Sequence, residues 1–375
     1  METAIPLGRI AGVRVGMSWL VPLVATLWTL LLAERVLPLA VPGRTPTAYW
    51  LAAVGGAAGY FASILVHEVG HALVGRRDGM AVKGITLSLL GGHTEFESEP
   101  ATPGAELRVS AVGPLANLAL AVGFQLTTAF VGADAFGGVG LAGQVVRWLA
   151  VMNLLLAVAN MIPAPPLDGA AVVGAMVWMA VRDRTRAALI TSGIGIVVGV
   201  TVAGLGAWLL VRRVDPFTGV LVLGYGLFMV QAARRQRAVA PALGRLRAAP
   251  VASVMVPDPP IVPEWATVGD VVTWAAAHPG HRAFPVQAAD GRITGVLTAP
   301  LVDAIDPGRW ATLRAIDLAW PIDRVPLAGA DESVLAVIRR APEPAVPILV
   351  LGPDGRVAGV ASPDAAERAG YVPPP

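Results

Sequence analysis

The chain has 375 residues, of which 55% are hydrophobic and 14% charged, with a formal net charge of +2 and no cysteine. A charged fraction this far below the soluble average of about 25% excludes an ordinary soluble protein and predicts an integral membrane protein. The small net charge does not indicate a nucleic-acid-binding surface. The lack of cysteine excludes disulfides and zinc–thiolate sites.

The first apolar run extends from about Met17 to Ala33 and follows Arg9 and Arg14. Its basic flank resembles that of a signal peptide. However, the run is long for such a segment, and no small-residue cleavage site closes it before Glu34. We therefore interpret it as a retained first membrane helix.

The second apolar run, Ala48 to Val66, contains nineteen residues without a charge and leads directly into His67-Glu68-Val69-Gly70-His71. At about 1.5 Å per residue, it would span nearly the whole hydrocarbon core of roughly 30 Å. Helical residues four apart share a face, so His67 and His71 can bind one metal ion while Glu68 reaches the metal's water. The pattern predicts a hydrolytic metal site near one membrane face.

The segment between the second and third apolar runs predicts a β-hairpin. Val82 to Leu90 alternates between apolar and small or polar residues, Gly91-Gly92 predicts the turn, and Thr94 to Glu97 continues the alternation. Non-helical backbone is tolerated at membrane depth only where protein or a water cavity covers it. We expect the hairpin to fold beside the metal site, and an ordinary surface hairpin is the alternative.

Four more apolar runs bring the predicted number of membrane spans to six. They are Leu107 to Val131, Trp148 to Val181 with an interruption, Ala187 to Val211, and Phe217 to Ala233. Basic residues accumulate on the cytosolic side of membrane proteins, and most of them would share one side here, which predicts a cytosolic N-terminus and C-terminal region. The residues on that side are Arg9, Arg14, Arg76, Arg77, Lys83, Arg182, Arg184, Arg186, Arg234, Arg235 and Arg237, against Arg35, Arg44, Arg212 and Arg213 on the other.

The interruption in the fourth run contains the best candidate for a third metal ligand. Three prolines precede Asp168, and Gly169 after it permits an unusual backbone turn. A catalytic zinc site takes three protein ligands and leaves one position open. An intramembrane acid is costly without a cationic partner, so we expect Asp168 to join His67 and His71. The alternative is that Asp168 merely caps a half-helix.

These residues predict peptide hydrolysis. Zinc lowers the pKa of its water toward about 7, and Glu68 takes the proton and then delivers it to the leaving amide nitrogen. A substrate helix must first unwind to expose a carbonyl. The edge of the predicted hairpin can receive the freed strand.

The chain changes character after Arg237, where Pro, Asp and short β-rich runs replace long apolar segments. We expect a membrane domain over residues 1–237, a linker over 238–249, and two repeats over 250–309 and 310–375. Asp290-Gly291-Arg292 recurs as Asp354-Gly355-Arg356, 64 residues later, and Ala283 to Val286 recurs as Ala345 to Ile348. Each copy predicts strand, turn and strand after a helix, over Val268 to Ala277 and Val334 to Arg340.

The chain resembles the site-2 protease family of intramembrane zinc metalloproteases, in the microbial branch with a C-terminal cystathionine-β-synthase-type (CBS) domain pair. The resemblance rests on four motifs: residues 67–71, Leu90-Gly91-Gly92, Gly113-Pro114-Leu115-Ala116-Asn117, and Asn153 to Gly169. It implies one zinc ion per chain, bound by His67, His71 and Asp168, with Glu68 as catalytic acid and base. It also implies cleavage of a transmembrane segment of a regulatory protein, such as an anti-sigma factor.

The resemblance further implies that Asn117 and Asn153 face the active site and steady the substrate or an oxyanion. Hydrogen bonds between membrane helices are an equally good reading of both residues. His93 stands where members of the family commonly have an aliphatic residue. It can approach the metal, although a solvated loop histidine is the simpler interpretation.

The CBS pair departs from the pattern of nucleotide-binding members. Those place an Asp three residues after a Thr or Ser, whereas Thr298 is followed by Leu301, and Ser362 by Ala365. Asp303 and Asp364 are out of register. The pattern disfavours nucleotide binding and favours docking or a homodimer through the CBS pair.

The predicted fold class is an α-helical polytopic membrane domain of about six spans with a membrane-associated β-hairpin, followed by a C-terminal α/β CBS domain pair. A CBS-regulated channel or transporter without proteolytic activity is the alternative function, since such proteins also contain broken helices with intramembrane acids. That reading does not explain Glu68 between two histidines. A pseudoprotease is disfavoured because all three ligands and the base are present.

Overall fold

The computed structural model describes residues 5–88, 91–131, 140–341 and 346–361. The chain forms two compact units, Met1–Ala238 and Val239–Pro375. Six helices among the described residues are long and apolar enough to cross a membrane, which confirms the predicted number of spans. They are Leu20–Ala40, Pro46–Arg77, Pro103–Thr128, Leu141–Asn160, Arg184–Val211 and Pro216–Ala248.

The first span is a helix in three parts: α1 (Leu20–Leu31), a π-helical turn (Leu32–Val36) and α2 (Leu37–Ala40). The second, α3 (Pro46–Arg77), begins where the Thr45 side chain accepts a hydrogen bond from the Ala48 amide. It continues through His67–His71 without a break and ends at the basic pair Arg76 and Arg77. The histidine motif is therefore part of a membrane helix, as predicted.

Two further helices pack on α3, namely α4 (Pro103–Val131) and α5 (Leu141–Asn160). Glycines in α3 allow close approach, since a Cβ at Gly59 would lie 2.9 Å from Leu149 Cδ1. The predicted fourth run is interrupted over residues 161–167, after which α6 (Asp168–Val181) begins. The break coincides with Pro163, Pro165 and Pro166, which lack the amide donor that a continuous helix requires.

The last two helices of the membrane unit are α7 (Arg184–Val211) and α8 (Pro216–Ala248). Asp183 caps α7 by accepting a hydrogen bond from the Arg186 amide at 3.0 Å. The predicted linker, residues 238–249, is helical through Ala248 as the end of α8. The predicted domain boundaries stay a prediction.

The membrane unit also contains a four-stranded sheet in the order β1-β2-β3-β4. Its strands are β1 (Ile5–Ile10), β2 (Val13–Met17), β3 (Val82–Ser88) and β4 (Gly91–Phe96). The predicted hairpin is β3–β4, whereas β1 and β2, before the first helix, were not predicted. Arg76 at the end of α3 donates to the Ala11 carbonyl at 2.6 Å, which joins the β1–β2 hairpin to this helix.

The predicted turn at Gly91-Gly92 is wrong. Both glycines belong to β4, where Gly91 pairs with Ser88 and Gly92 with Leu87. Leu90, the other residue of that motif, lies outside the described residues. Each glycine is explained by a different requirement. Gly91 has a φ of 135°, which residues with a side chain rarely adopt, and Gly92 lies directly against Glu68, where a Cβ would not fit.

The C-terminal unit consists of two α/β repeats with mixed four-stranded sheets in the orders β6-β7-β8-β9 and β10-β11-β12-β5. The strands are β5 (Val256–Pro257), β6 (Val262–Pro263), β7 (Ala283–Gln287), β8 (Ile293–Thr298), β9 (Trp320–Pro321), β10 (Leu327–Gly329), β11 (Ile348–Leu351) and β12 (Val357–Ala361). The helices are α9 (Val268–Ala277), α10 (Ala299–Asp303), α11 (Ala315–Leu318) and α12 (Val334–Arg340). Each sheet contains one strand from the other predicted repeat. β9, which follows the predicted boundary at 309/310, joins β6–β8, and β5, which precedes it, joins β10–β12.

The repeat is confirmed in its details. α9 and α12 have the predicted bounds, and the paired turns have Gly291 at φ 86° and Gly355 at φ 76°. Hydrogen bonds from Thr267 cap α9 and hold the pKa of the Asp270 carboxyl below its usual value. Among the positions compared with the nucleotide-binding pattern, Thr298 ends β8 and is buried. Ser362, Asp364 and Ala365 lie outside the described residues, and so does Ala345 of the repeat.

Candidate active site

The three motif side chains of α3 are buried in the membrane unit. His67, Glu68 and His71 are 6%, 4% and 7% exposed. One helical turn separates the two histidines, which brings their Nε2 atoms to 3.1 Å from each other. Arg76 is nine positions after His67 and five after His71 in α3. The two histidines therefore lie about 14 Å and about 8 Å before the basic end of the helix.

Asp168 joins the histidines from the first residue of α6. Its Oδ2 atom lies 3.0 Å from His67 Nε2 and 3.4 Å from His71 Nε2. Ligand atoms about 2.0 to 2.1 Å from a tetrahedral zinc ion are about 3.3 Å apart, so this donor set fits that metal. Asp168 Oδ2 is buried and has no hydrogen-bond partner of good geometry among the described residues, which is what a ligand atom facing a metal position would show.

Both imidazoles are oriented from behind by oxygen acceptors on α4. His67 Nδ1 lies 2.5 Å from Asn117 Oδ1, and His71 Nδ1 lies 2.6 Å from the Val109 carbonyl oxygen. With Nδ1–H donating in each ring, the lone pair of each Nε2 is directed at the space beside Asp168. Such outer hydrogen bonds fix the tautomer and raise the basicity of metal-binding histidines.

The asparagine behind His67 belongs to a chain of buried amides that connects three helices. Asn117 Nδ2 donates to Asn153 Oδ1 at 2.9 Å, and Asn153 Nδ2 donates to Ser63 Oγ at 3.0 Å and to the Leu149 carbonyl at 2.9 Å. Both asparagines are fully buried. This geometry favours the interhelical reading of the two residues over direct contact with a substrate.

Two glycines allow close packing around the cluster of His67, His71 and Asp168. A Cβ at Gly113 of α4 would lie 2.6 Å from His67 Nε2. A Cβ at Gly169 would lie 2.5 Å from the Ile162 carbonyl oxygen. Gly169 is helical within α6, so the unusual backbone turn that glycine would permit is not formed there. The glycine is needed because the helix packs against the preceding loop backbone.

The carboxylate of Glu68 meets strand β4. Thr94 Oγ1 lies 2.9 Å from Glu68 Oε2 and 3.1 Å from the Glu68 carbonyl oxygen. This confirms that the hairpin lies beside the motif. His93, the neighbouring residue of β4, is exposed and does not belong to the metal-ligand cluster of the described residues.

A cavity of about 470 Å³ opens onto these groups. The histidines, Glu68 and Asp168 line it together with β4, and α8 contributes Tyr225 and Phe228 to its wall.

Comparison with known proteins gives the family. The sequence profile of peptidase family M50 matches residues 56–137 and 138–202. Rip3 of Mycobacterium tuberculosis, which is named as a zinc metalloprotease, is 36% identical over 343 residues, 91% of this chain and 86% of its own. The chain belongs to peptidase family M50, the site-2 protease family.

Two solved structures are similar to parts of this chain. A site-2 protease from Methanocaldococcus jannaschii is 20% identical and covers 62% of this chain and 95% of its own, with a TM-score of 0.40. A CBS domain of a bacterial CNNM/CorC family Mg²⁺ transporter, solved in complex with ATP, is 16% identical and covers 36% of this chain and 96% of its own, with a TM-score of 0.29.

As a site-2 protease, the chain is a zinc metalloprotease and a multi-pass membrane protein that acts on a membrane-protein substrate in the bilayer. Several residues around its metal-ligand cluster were not singled out from the sequence, namely Ser63, Thr94, the Val109 carbonyl and Tyr225. Of these residues, only Thr94 could have been inferred from the sequence, because the alternation along a strand places Gly92 and Thr94 on the same face. The others have no signature in local spacing.

Proposed function

We propose that His67, His71 and Asp168 hold the zinc ion of this peptidase and that Glu68 is its general base. The observation that carries the proposal is the convergence of three ligand atoms, 3.0 to 3.4 Å apart, from α3 and α6. Glu68 is adjacent to His67 in the chain and opens into the same cavity. No other group of three or more His, Cys, Asp or Glu side chains converges in this way within the described part of the chain.

The protein groups divide the reaction between them. When bound, zinc polarises the substrate carbonyl and lowers the pKa of water toward about 7. Glu68 takes the proton of the attacking water and then donates it to the leaving amide nitrogen. Asn117 and the Val109 carbonyl hold both imidazoles in the tautomer that offers Nε2 to the metal. Burial of these groups keeps bulk water from competing.

The substrate in this proposal is a transmembrane segment of a regulatory membrane protein, such as an anti-sigma factor. Hydrolysis requires an extended backbone, and β4 supplies a partner for one. It is the last strand of the sheet, and it lies against Glu68. An unwound substrate strand that pairs with this edge would bring its carbonyls to the cavity.

We further propose that the N-terminus and the CBS pair are cytosolic and that the CBS pair serves regulation or homodimerisation. The basic end of α3, Arg76 and Arg77, supports this orientation under the positive-inside rule. Nucleotide-binding CBS domains have an Asp three residues after the Thr, whereas this chain has Leu301 there. This difference supports a docking role over nucleotide sensing.

The test compares purified full-length wild type with Glu68→Gln, which keeps the shape of the side chain but removes its basicity. We expect about one zinc ion per chain in both proteins and cleavage of a helix-destabilised transmembrane reporter by wild type alone. A loss of turnover of about 100-fold or more is expected for a missing general base.

The same experiment addresses the channel or transporter alternative. A folded wild-type protein without stoichiometric zinc would overturn the proposed ligand set and favour that alternative. Cleavage by Glu68→Gln at the wild-type rate would instead show that another group acts as the base.

A further inference from the structure

Strand β4 is attached to α3 at three alternate residues, all on the face that points toward this helix. Gly92 and Thr94 lie against Glu68, and Phe96 lies against Gly75. The residues between them, His93 and Glu95, are exposed. The strand therefore follows α3 from the catalytic motif toward its basic end.

The contact at Phe96 fixes the position of β4 along the helix. Gly75 leaves a notch in α3, since a Cβ there would lie 2.8 Å from Phe96 Cζ. Gly92 makes a similar fit at the other end, because a Cβ there would lie 2.5 Å from Glu68 Cγ. A strand held at both ends cannot slip, and Thr94 in the middle is thereby fixed opposite the Glu68 carboxylate.

The Thr94 hydroxyl is the only hydrogen-bond donor to the Glu68 side chain among the described residues. It has one proton and two acceptors within reach, the carboxylate Oε2 and the main-chain oxygen of Glu68. The terminal torsion of a glutamate is broad and has no strong intrinsic preference. Without this hydrogen bond, the plane of the carboxylate would be free to turn within the cavity.

We propose that Thr94 is a positioning residue that orients the Glu68 carboxylate toward the attacking water. This inference rests on the proposed role of Glu68 as general base. The hydroxyl binds one carboxylate oxygen, Oε2, which leaves Oε1 to receive the proton. The Thr94 side chain touches neither substrate nor metal in this mechanism, and it acts through the rate of the proton-transfer step.

The experiment compares Thr94→Val, which keeps the shape but removes the hydroxyl, with Thr94→Ser, which keeps the hydroxyl. Thr86→Val is the matched control, because Thr86 lies in β3 of the same hairpin, pairs with His93, and has no side-chain hydrogen bond among the described residues. Reporter cleavage, zinc content and thermal unfolding are measured for each full-length variant in detergent.

We expect Thr94→Val to lower kcat about 10- to 100-fold with KM and zinc content unchanged, as for a reacting group that is displaced by a fraction of an ångström to about 1 Å. Thr94→Ser should recover most of the loss, and Thr86→Val should match wild type. In a Glu68→Gln background, Thr94→Val should cause no further loss of residual activity.

Three results would overturn the inference. These are an unchanged kcat in Thr94→Val, a rise in KM without a fall in kcat, or equal losses in Thr94→Val and Thr94→Ser. If Thr94→Val does not fold, the same comparison is made between Thr94→Ala and Thr94→Ser. Failure of the proposed function gives a different signature, namely full activity in Glu68→Gln.

Discussion

Gly113 shows how much a single missing side chain matters in this site. It lies on α4 opposite both imidazoles, at a point where any Cβ would enter the space beside His67 Nε2. The same helix supplies Asn117 and the Val109 carbonyl, which orient the two rings. The helix therefore has to approach closely enough to orient the histidines, and only glycine permits this approach.

We predict that Gly113→Ala displaces the imidazoles and weakens zinc binding by about 10-fold or more, with a parallel loss of cleavage. The measurement is zinc retained after dialysis against a competing chelator. Gly123→Ala is the control on the same helix, since a Cβ there would meet nothing within 4 Å. Wild-type zinc retention in Gly113→Ala would contradict the prediction.

At the scale of elements, α7 and α8 pack through glycines at backbone distance. A Cβ at Gly226 of α8 would lie 2.8 Å from the Gly199 carbonyl oxygen of α7. Small residues at helix interfaces allow this approach in membranes, where van der Waals packing replaces the hydrophobic effect as the driving force. Because Tyr225 adjoins Gly226 and lines the active-site cavity, this packing also sets one wall of the site.

We predict that Gly226→Leu separates α8 from α7, destabilises the membrane unit by about 1 to 3 kcal/mol and reduces cleavage. Gly224→Leu is the matched control, because the position next to Tyr225 on the other side is open, with nothing within 4 Å of a Cβ. Thermal unfolding in detergent and reporter cleavage would be measured together. Equal effects of the two substitutions would argue against a packing role for Gly226.

At the scale of the whole molecule, the metal-ligand cluster connects parts of the chain that are about one hundred residues apart. His67 and His71 come from α3 and Asp168 from α6, and a shared ion would tie these helices together. Without a cation, the partly buried carboxylate of Asp168 would remain next to two imidazoles, with its buried Oδ2 lacking a hydrogen-bond partner among the described residues. The ion should therefore contribute to the stability of the unit Met1–Ala238.

We predict that a chelator lowers the unfolding temperature of this unit and that zinc restores it. A ligand at about 1,000 times its Kd contributes about 4 kcal/mol to the folded state. Glu68→Gln should respond like wild type because it keeps all three ligands, whereas His71→Ala should be insensitive to the chelator. Hydrogen exchange in residues 250–341 should not change, and a chelator effect confined to those residues would contradict the proposed site.

Local patterns in the sequence were enough to predict many elements of this protein. The six spans, the break at the prolines before Asp168 and the helices of the C-terminal repeat follow from hydrophobic periodicity, proline chemistry and turn residues, each of which acts over a few positions. The spacing of His67 and His71 likewise belongs to one helix. The wrong turn at Gly91-Gly92 shows the limit, since glycine marks a close contact as often as a reversal of the chain.

The sequence by itself determined that this is a six-span membrane protein with a zinc-hydrolase motif at the end of its second apolar run. Only the tertiary structure decided how Asp168 meets the histidines, why Gly92 and Gly113 are glycines, and which groups hold Glu68 and the imidazoles. Those contacts join α3 to α4, α6 and β4. They depend on helix packing and strand register between distant segments, which no local period of the sequence records.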